Sequence, residues 1–160
     1  MSFTWLNTLT PITLAAVIAL TTTAARAEDN AVPRITLSEN IDWSPMIPRL
    51  GNKGPAIATV FGKPGVIGTP FGGLVRVPAG GQSPFHKHTS EYWAIMVAGT
   101  GSARKSLGDE PEWIPTGSWW FQPGGAPHVN KCKGPEECVF FVYYKNGMDY
   151  LILDPASTQK

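Results

Sequence analysis

Nothing in this sequence is arranged to hold nucleic acid. No basic run and no acidic tail occurs, charged residues make up only 16%, and the formal net charge is +1. Helical periodicity is missing as well. Beyond the N-terminal segment, no stretch keeps an apolar helical repeat for three turns without a Gly or Pro. Histidine and cysteine are scarce, with three and two among 160 residues. At this length the expectation is one domain with a real hydrophobic core.

Long apolar runs are confined to the N-terminus. Residues 10–23 are apolar and small, and Ala25-Arg26-Ala27 then offers a small-x-small cleavage pattern before Glu28-Asp29. No Lys or Arg precedes the run, so only the terminal amine supplies positive charge there. The run is too short to cross a bilayer as a mature helix. A cleaved signal peptide over residues 1–27 is therefore expected, in preference to a buried or anchoring helix. A single domain over 28–160 follows, in a periplasmic or secreted protein with no mature membrane span. Cleavage after Ala27 removes Arg26 and leaves 12 basic and 12 acidic residues, a neutral chain.

What the sequence does have is 17 glycines and 15 prolines, which suit short strands joined by tight turns. Strands are expected over 34–38, 56–61, 71–77, 92–98, 118–122, 139–144 and 150–153, each short, apolar or alternating, and bounded by turn residues. Strands so spaced indicate an all-β sandwich or barrel.

All three histidines fall in two segments, 81–91 and 117–128. His86 and His88 are two apart, so on a strand both imidazoles point to one face. Imidazole is the commonest protein donor to first-row transition metals. In the second segment Gly117 opens a bulky strand, Pro123-Gly124-Gly125 turns the chain, and Pro127 biases Ala126 to extended backbone before His128. A barrel can bring these three imidazoles to one interior point.

The two segments resemble the paired motifs of the cupin superfamily. The first motif runs from Gly through five residues to His-x-His, then a Glu and a later Gly; Gly80, His86, His88, Glu91 and Gly99 follow that order. The second, Gly, five residues, Pro-x-Gly, two residues, His, is matched without a gap by Gly117, Pro123, Gly125 and His128. The motifs occupy 80–99 and 117–128, and the likeness covers about residues 50–145. Segments such as Asp42-Trp43-Ser44-Pro45 and Trp119-Trp120-Phe121-Gln122 are similar to a group of exported bacterial cupins of unknown function. The resemblance implies a double-stranded β-helix, or jelly-roll barrel. It also implies a divalent metal on His86, His88, Glu91 and His128. The match departs from the pattern at the acid. Only Thr89 and Ser90 separate His88 from Glu91, and counting back from Gly99 puts Tyr92 in the usual acid position. A one-residue slip turns a side chain to the opposite face, unless a turn or bulge re-aims it.

Three imidazoles with an optional carboxylate leave open positions on an octahedral Fe, Mn or Ni ion, while three His and a water suit Zn. Open positions permit Lewis-acid activation of a small substrate, or dioxygen binding beside it. A metal-dependent dioxygenase or an isomerase/lyase acting on a small oxygen-rich molecule is one reading. A binding or sensing module that holds a small ligand without turnover is another, and a metal-stabilised structural barrel a third. Outside the ligand set, the nearby candidates for acid–base work are Tyr92, Gln122 and, if it is not a ligand, Glu91. Trp93, Trp119, Trp120, Phe121, Tyr143 and Tyr144 either line a pocket or fill the core, and alternation forbids Trp119 and Trp120 from both facing inward.

Cys132 and Cys138 flank Lys133-Gly134-Pro135-Glu136-Glu137, a turn sequence that lets them meet across a hairpin. After export that spacing suggests a disulfide. Two assemblies stay open: a homodimer that uses the Trp43 region, or a monomer with Trp43 in its own core.

Overall fold

Eleven strands carry the architecture of the computed structural model, which describes residues 33–105 and 108–154. They are β1 (Ser44–Pro45), β2 (Ala56–Phe61), β3 (Phe71–Val77), β4 (His86–Lys87), β5 (Tyr92–Ala98), β6 (Thr100–Arg104), β7 (Ile114–Pro115), β8 (Trp119–Gln122), β9 (Val129–Cys132), β10 (Cys138–Tyr144) and β11 (Leu151–Ile152). Two 3-10 turns, Ser38–Asn40 and Pro48–Lys53, are the only helical pieces among the described residues. The all-β expectation holds. The proposed signal segment lies outside the described residues, and no described helix is long and apolar enough to cross a membrane.

All pairing is antiparallel. One layer is a six-stranded sheet in the order β1-β2-β3-β10-β5-β8. The other is assembled from two ladders, β11-β4 and β9-β6-β7. Bridges between His86 and His128 and between Gln82 and Lys131 stitch those ladders together. This is a jelly-roll arrangement, and the stitch between the ladders is made by two of the three histidines.

Alternation decides what the six-stranded sheet buries. Tyr92, Ala94 and Met96 of β5 face inward beside Phe140, Val142 and Tyr144 of β10 and Phe71, Val75 and Val77 of β3. Burying each large apolar side chain contributes about 1.5–3 kcal/mol, and truncating Phe140 to Ala would cost about 3–5 kcal/mol.

The expected strand at 34–38 does not form. Residues 33–37 pair with nothing in a sheet, and Ile35 and Leu37 stay exposed, so their β-propensity has no sheet to join. Conversely, β6 and β9 form from Thr100-Gly101-Ser102-Ala103-Arg104 and Val129-Asn130-Lys131-Cys132, whose weak apolar signal hides them. Tertiary pairing supplies what local pattern lacks.

Candidate metal centre

His86 sits in β4, His88 follows two residues later, and His128 lies where the loop after β8 enters β9. All three are almost fully buried. One nitrogen from each lies within 4.8 Å of the other two, a group the structure forms from residues 42 positions apart in sequence at the extreme.

The three rings are oriented by the same device. His86 Nδ1 is 2.8 Å from the carbonyl of Pro84 and His128 Nδ1 is 3.1 Å from that of Ala126. His88 Nδ1 bonds the carbonyl of Asp149. A carbonyl only accepts, so each Nδ1 carries the proton and each Nε2 presents its lone pair, which on His128 accepts the Tyr92 hydroxyl. That is the tautomer a metal needs.

The chemistry of the surroundings agrees. Burial first, then the neighbouring imidazoles, holds the His86 pKa down to about 2. Burial and His88 hold His128 at about 4. Burial likewise lowers His88, against the opposing pull of Asp149. All three are neutral donors at ordinary pH. The three nitrogens lie close enough together that His86, His88 and His128 could hold one ion between them. Asn130 Nδ2 and Tyr150 Oη, on residues that line the cavity beside His86 and His88, are buried without a hydrogen-bond partner. Such groups suit the extra ligands of a bound ion. The residues present fit a divalent transition metal.

Backbone geometry joins the two motifs. The N–H of Gly125 donates to the carbonyl of His88 at 2.7 Å, with Gly125 at φ +74°. Gly124 presses on the segment after His88 so closely that a Cβ there would stand 2.7 Å from the Thr89 carbonyl oxygen. The Gly124-Gly125 pair is thus the contact surface between the His-x-His strand and the turn that delivers His128.

Glu91 does not join the cluster, contrary to the resemblance-based expectation. It is exposed, and the group of converging ligand atoms contains histidines alone. Strand β5 begins at Tyr92, and its alternation sends Tyr92 inward and the residue before it outward. Tyr92 Oη–H instead donates to His128 Nε2 at 3.1 Å. Burial raises its pKa, opposed in part by the nearby Trp120 and Asn130 side chains. Gln122 pairs with Tyr92 in register, but its amide donates to the Ala126 carbonyl at 3.2 Å and braces the loop that carries His128.

Sequence reasoning missed Asp149 and Tyr150. Asp149 accepts from Thr89 N–H at 2.7 Å and from the Thr89 hydroxyl, besides orienting His88. Tyr150 stacks on His86 with ring centroids 4.3 Å apart. Both come from the segment before β11, which carries no motif; only the β11-β4 pairing betrays them. Cys132 and Cys138 form a disulfide at the far end of β9 from His128.

Two spaces adjoin the centre. The interior cavity beside His86, His88, Tyr92 and Tyr144 measures about 20 Å³, room for one water-sized species. A cleft of about 630 Å³ reaches His128 from outside, past Trp119, Phe121, Arg104 and Lys105.

A family model described as "Domain of unknown function (DUF4437)" matches residues 34–159. Comparison with the curated proteins returned no match. Solved structures with the same fold include the DMSP lyase DddQ from Ruegeria pomeroyi DSS-3, at 22% identity and TM-score 0.58, covering 72% of this chain and 62% of that one. This chain therefore spans less than two thirds of that lyase. The polyketide cyclase RemF from Streptomyces resistomycificus aligns at 14% identity and TM-score 0.59, covering 77% and 87%. An RmlC-like cupin from Ralstonia eutropha JMP134 aligns at 21% and 0.56, covering 75% and 71%. The architecture is that of the cupins.

Proposed function

The chain belongs to the DUF4437 family, and from that premise, which assigns no activity, we propose that it is a mononuclear metal-dependent cupin acting as a lyase or isomerase on a small oxygen-rich molecule. The observation that carries this reading is the convergence of three buried, neutral imidazoles, each turned by a main-chain carbonyl at Nδ1 so that Nε2 is left as the acceptor. His86, His88 and His128 would hold the ion, which when bound supplies Lewis-acid polarisation of a substrate oxygen. Tyr92 is the residue placed to hold or move a proton, since its phenol already touches His128 inside the same enclosure. Buried Tyr144, packed on Tyr92, and partly buried Tyr150, packed on His88, form aromatic walls of the enclosure. Lyase and cyclase activities in two proteins of this fold support non-oxidative chemistry.

A second reading has its own support. The interior cavity is too small for an organic substrate as it stands, which favours a barrel that holds metal and a water-sized ligand without turnover. Under either reading, an exported protein with a cleaved segment over residues 1–27 agrees with the Cys132–Cys138 disulfide.

The test is metal content followed by turnover. Wild type and Glu91→Ala are expected to carry about one metal per chain, and His128→Ala none. Absence of metal from wild type overturns the metal centre. Metal-loaded protein is then incubated with a metabolite panel, with and without dioxygen, and products are followed by NMR. Anaerobic turnover supports the lyase or isomerase; strict dependence on dioxygen replaces it with an oxygenase; silence across the panel favours the passive barrel.

A further inference from the structure

Two buried hydrogen-bond donors line the interior cavity with nothing to bond. Asn130 lies on β9 two residues after His128, so alternation turns both side chains to the same face. The residue is 6% exposed. Its backbone is clamped to Ser83: the Asn130 N–H donates to Ser83 Oγ at 3.0 Å, and the Asn130 carbonyl accepts the Ser83 N–H at 2.8 Å. Its side-chain Nδ2 has no partner among the described residues. Tyr150, stacked on His86, likewise buries its Oη without a partner. The nearby Ser83 hydroxyl is already committed, since it donates to the Pro84 carbonyl and accepts the Asn130 N–H. Both donors line the same space as His86, His88 and Tyr92, in a wall otherwise made by residues such as Val75, Val77 and Phe140. An amide NH2 and a phenol O–H both supply protons, so the missing partner is an acceptor. The cavity of about 20 Å³ has room for one oxygen atom.

The charge of the site asks for the same partner. Its three imidazoles are neutral, Glu91 is exposed, and the Asp149 carboxylate is taken up by the N–H and hydroxyl of Thr89. A divalent ion held here would keep its full charge inside a buried site, and a buried charge is costly without an opposite one. We infer that, given a metal on His86, His88 and His128, Asn130 and Tyr150 bind one oxygen of the carboxylate of a small organic acid beside it. Neutral water satisfies the two donors but leaves the charge unbalanced. An amine or a cation meets two donors and no acceptor. The rest of the acid lies toward Met46 and Met148, unbranched side chains that line the same cavity and can move aside for it. The substrate class thus narrows from an oxygen-rich molecule to an acid held by its carboxylate end.

The measurement is a formate titration of the Co(II)-loaded full chain at fixed ionic strength, followed by visible absorption, with cobalt per chain determined alongside. Tyr150→Phe removes only the hydroxyl, and Asn130→Asp keeps the size of the side chain but replaces its donor with a carboxylate. Wild type is expected to hold one cobalt and to give a saturable spectral change with formate. Tyr150→Phe is expected to hold cobalt and bind formate about 10- to 100-fold more weakly, the cost of one hydrogen bond to a charged group. Asn130→Asp is expected to lose at least as much. If one variant fails to hold cobalt, the other carries the comparison. Loss of cobalt from both overturns the inference and makes the two residues supports of the metal site instead. Wild type without cobalt overturns the metal-dependent reading and this one with it. Cobalt without a formate response overturns this one alone and leaves the cavity to water or hydroxide. Equal formate affinity in wild type and the cobalt-loaded variants overturns it too.

Discussion

Asp149 accepts the Nδ1–H of His88 on its main-chain carbonyl, across 61 residues of sequence. Its carboxylate holds the next residue as well, through the N–H and hydroxyl of Thr89. One residue thus fixes both the tautomer of a candidate metal donor and the chain that leads away from it.

Removing that carboxylate should loosen His88 without removing any donor atom. Asp149→Ala is expected to weaken metal binding about 10- to 100-fold, the usual cost of losing a group that orients a ligand. Asp149→Asn keeps an acceptor for the Thr89 N–H and should recover much of the loss. Titration of the metal-free protein with Zn(II) against a competing chelator gives both values. Equal affinity in Asp149→Ala and wild type would show that the Thr89 clamp does not matter.

Gly124→Ala tests the contact between the motifs. Its Cβ meets the Thr89 carbonyl at 2.7 Å and the Glu91 nitrogen at 3.0 Å, both backbone atoms that cannot rotate away. The expected cost is about 1–3 kcal/mol of stability, read from urea unfolding, together with weaker metal binding. Gly65→Ala is a poor control because its φ of +81° is itself strained; an exposed Ser or Thr substitution serves better.

Acid should destabilise the metal-free protein. His86 and His128 have folded pKa values of about 2 and about 4, below the ordinary 6.5, so the unfolded chain takes up protons first. Stability is then full above pH 6.5 and falls as pH drops, until each folded pKa is reached. His128 alone accounts for a loss on the order of 3 kcal/mol by pH 4. His128→Gln should flatten the profile of urea-unfolding free energy between pH 6.5 and 4. An unchanged slope in that variant would contradict the burial of a neutral imidazole.

The disulfide is a separate term. Cys132 and Cys138 close a loop of six residues' separation, and in the chain-entropy model such a loop contributes about 2–3 kcal/mol. A Cys132→Ser/Cys138→Ser double variant should lose about that much in urea unfolding. Its metal stoichiometry should stay at the wild-type value, because the bridge sits at the other end of β9 from His128.

The histidines were legible because His86 and His88 lie two apart on a strand and a Pro-x-Gly turn precedes His128, a pairing that the resemblance to the cupin motifs joined into one site. The acid position was legible only as a conflict, and alternation in β5 resolved it in favour of Tyr92. Trp119 and Trp120 separated as a pleated strand requires, Trp120 inward and Trp119 outward. Asp149 and Tyr150 were not legible, since a partner 61 residues away leaves no local periodicity to read. An aromatic row on the outer face of the six-stranded sheet was hidden for a related reason. Trp93, Phe121 and Tyr143 look like core or pocket residues one at a time, and only the sheet register shows that they share a solvent face.

The three imidazoles are steered by carbonyls of the main chain at Pro84, Ala126 and Asp149. No side-chain replacement deletes a carbonyl. Substitutions in the walls of the cavity or at the mouth of the cleft therefore leave in place the three acceptors that set the imidazole tautomers.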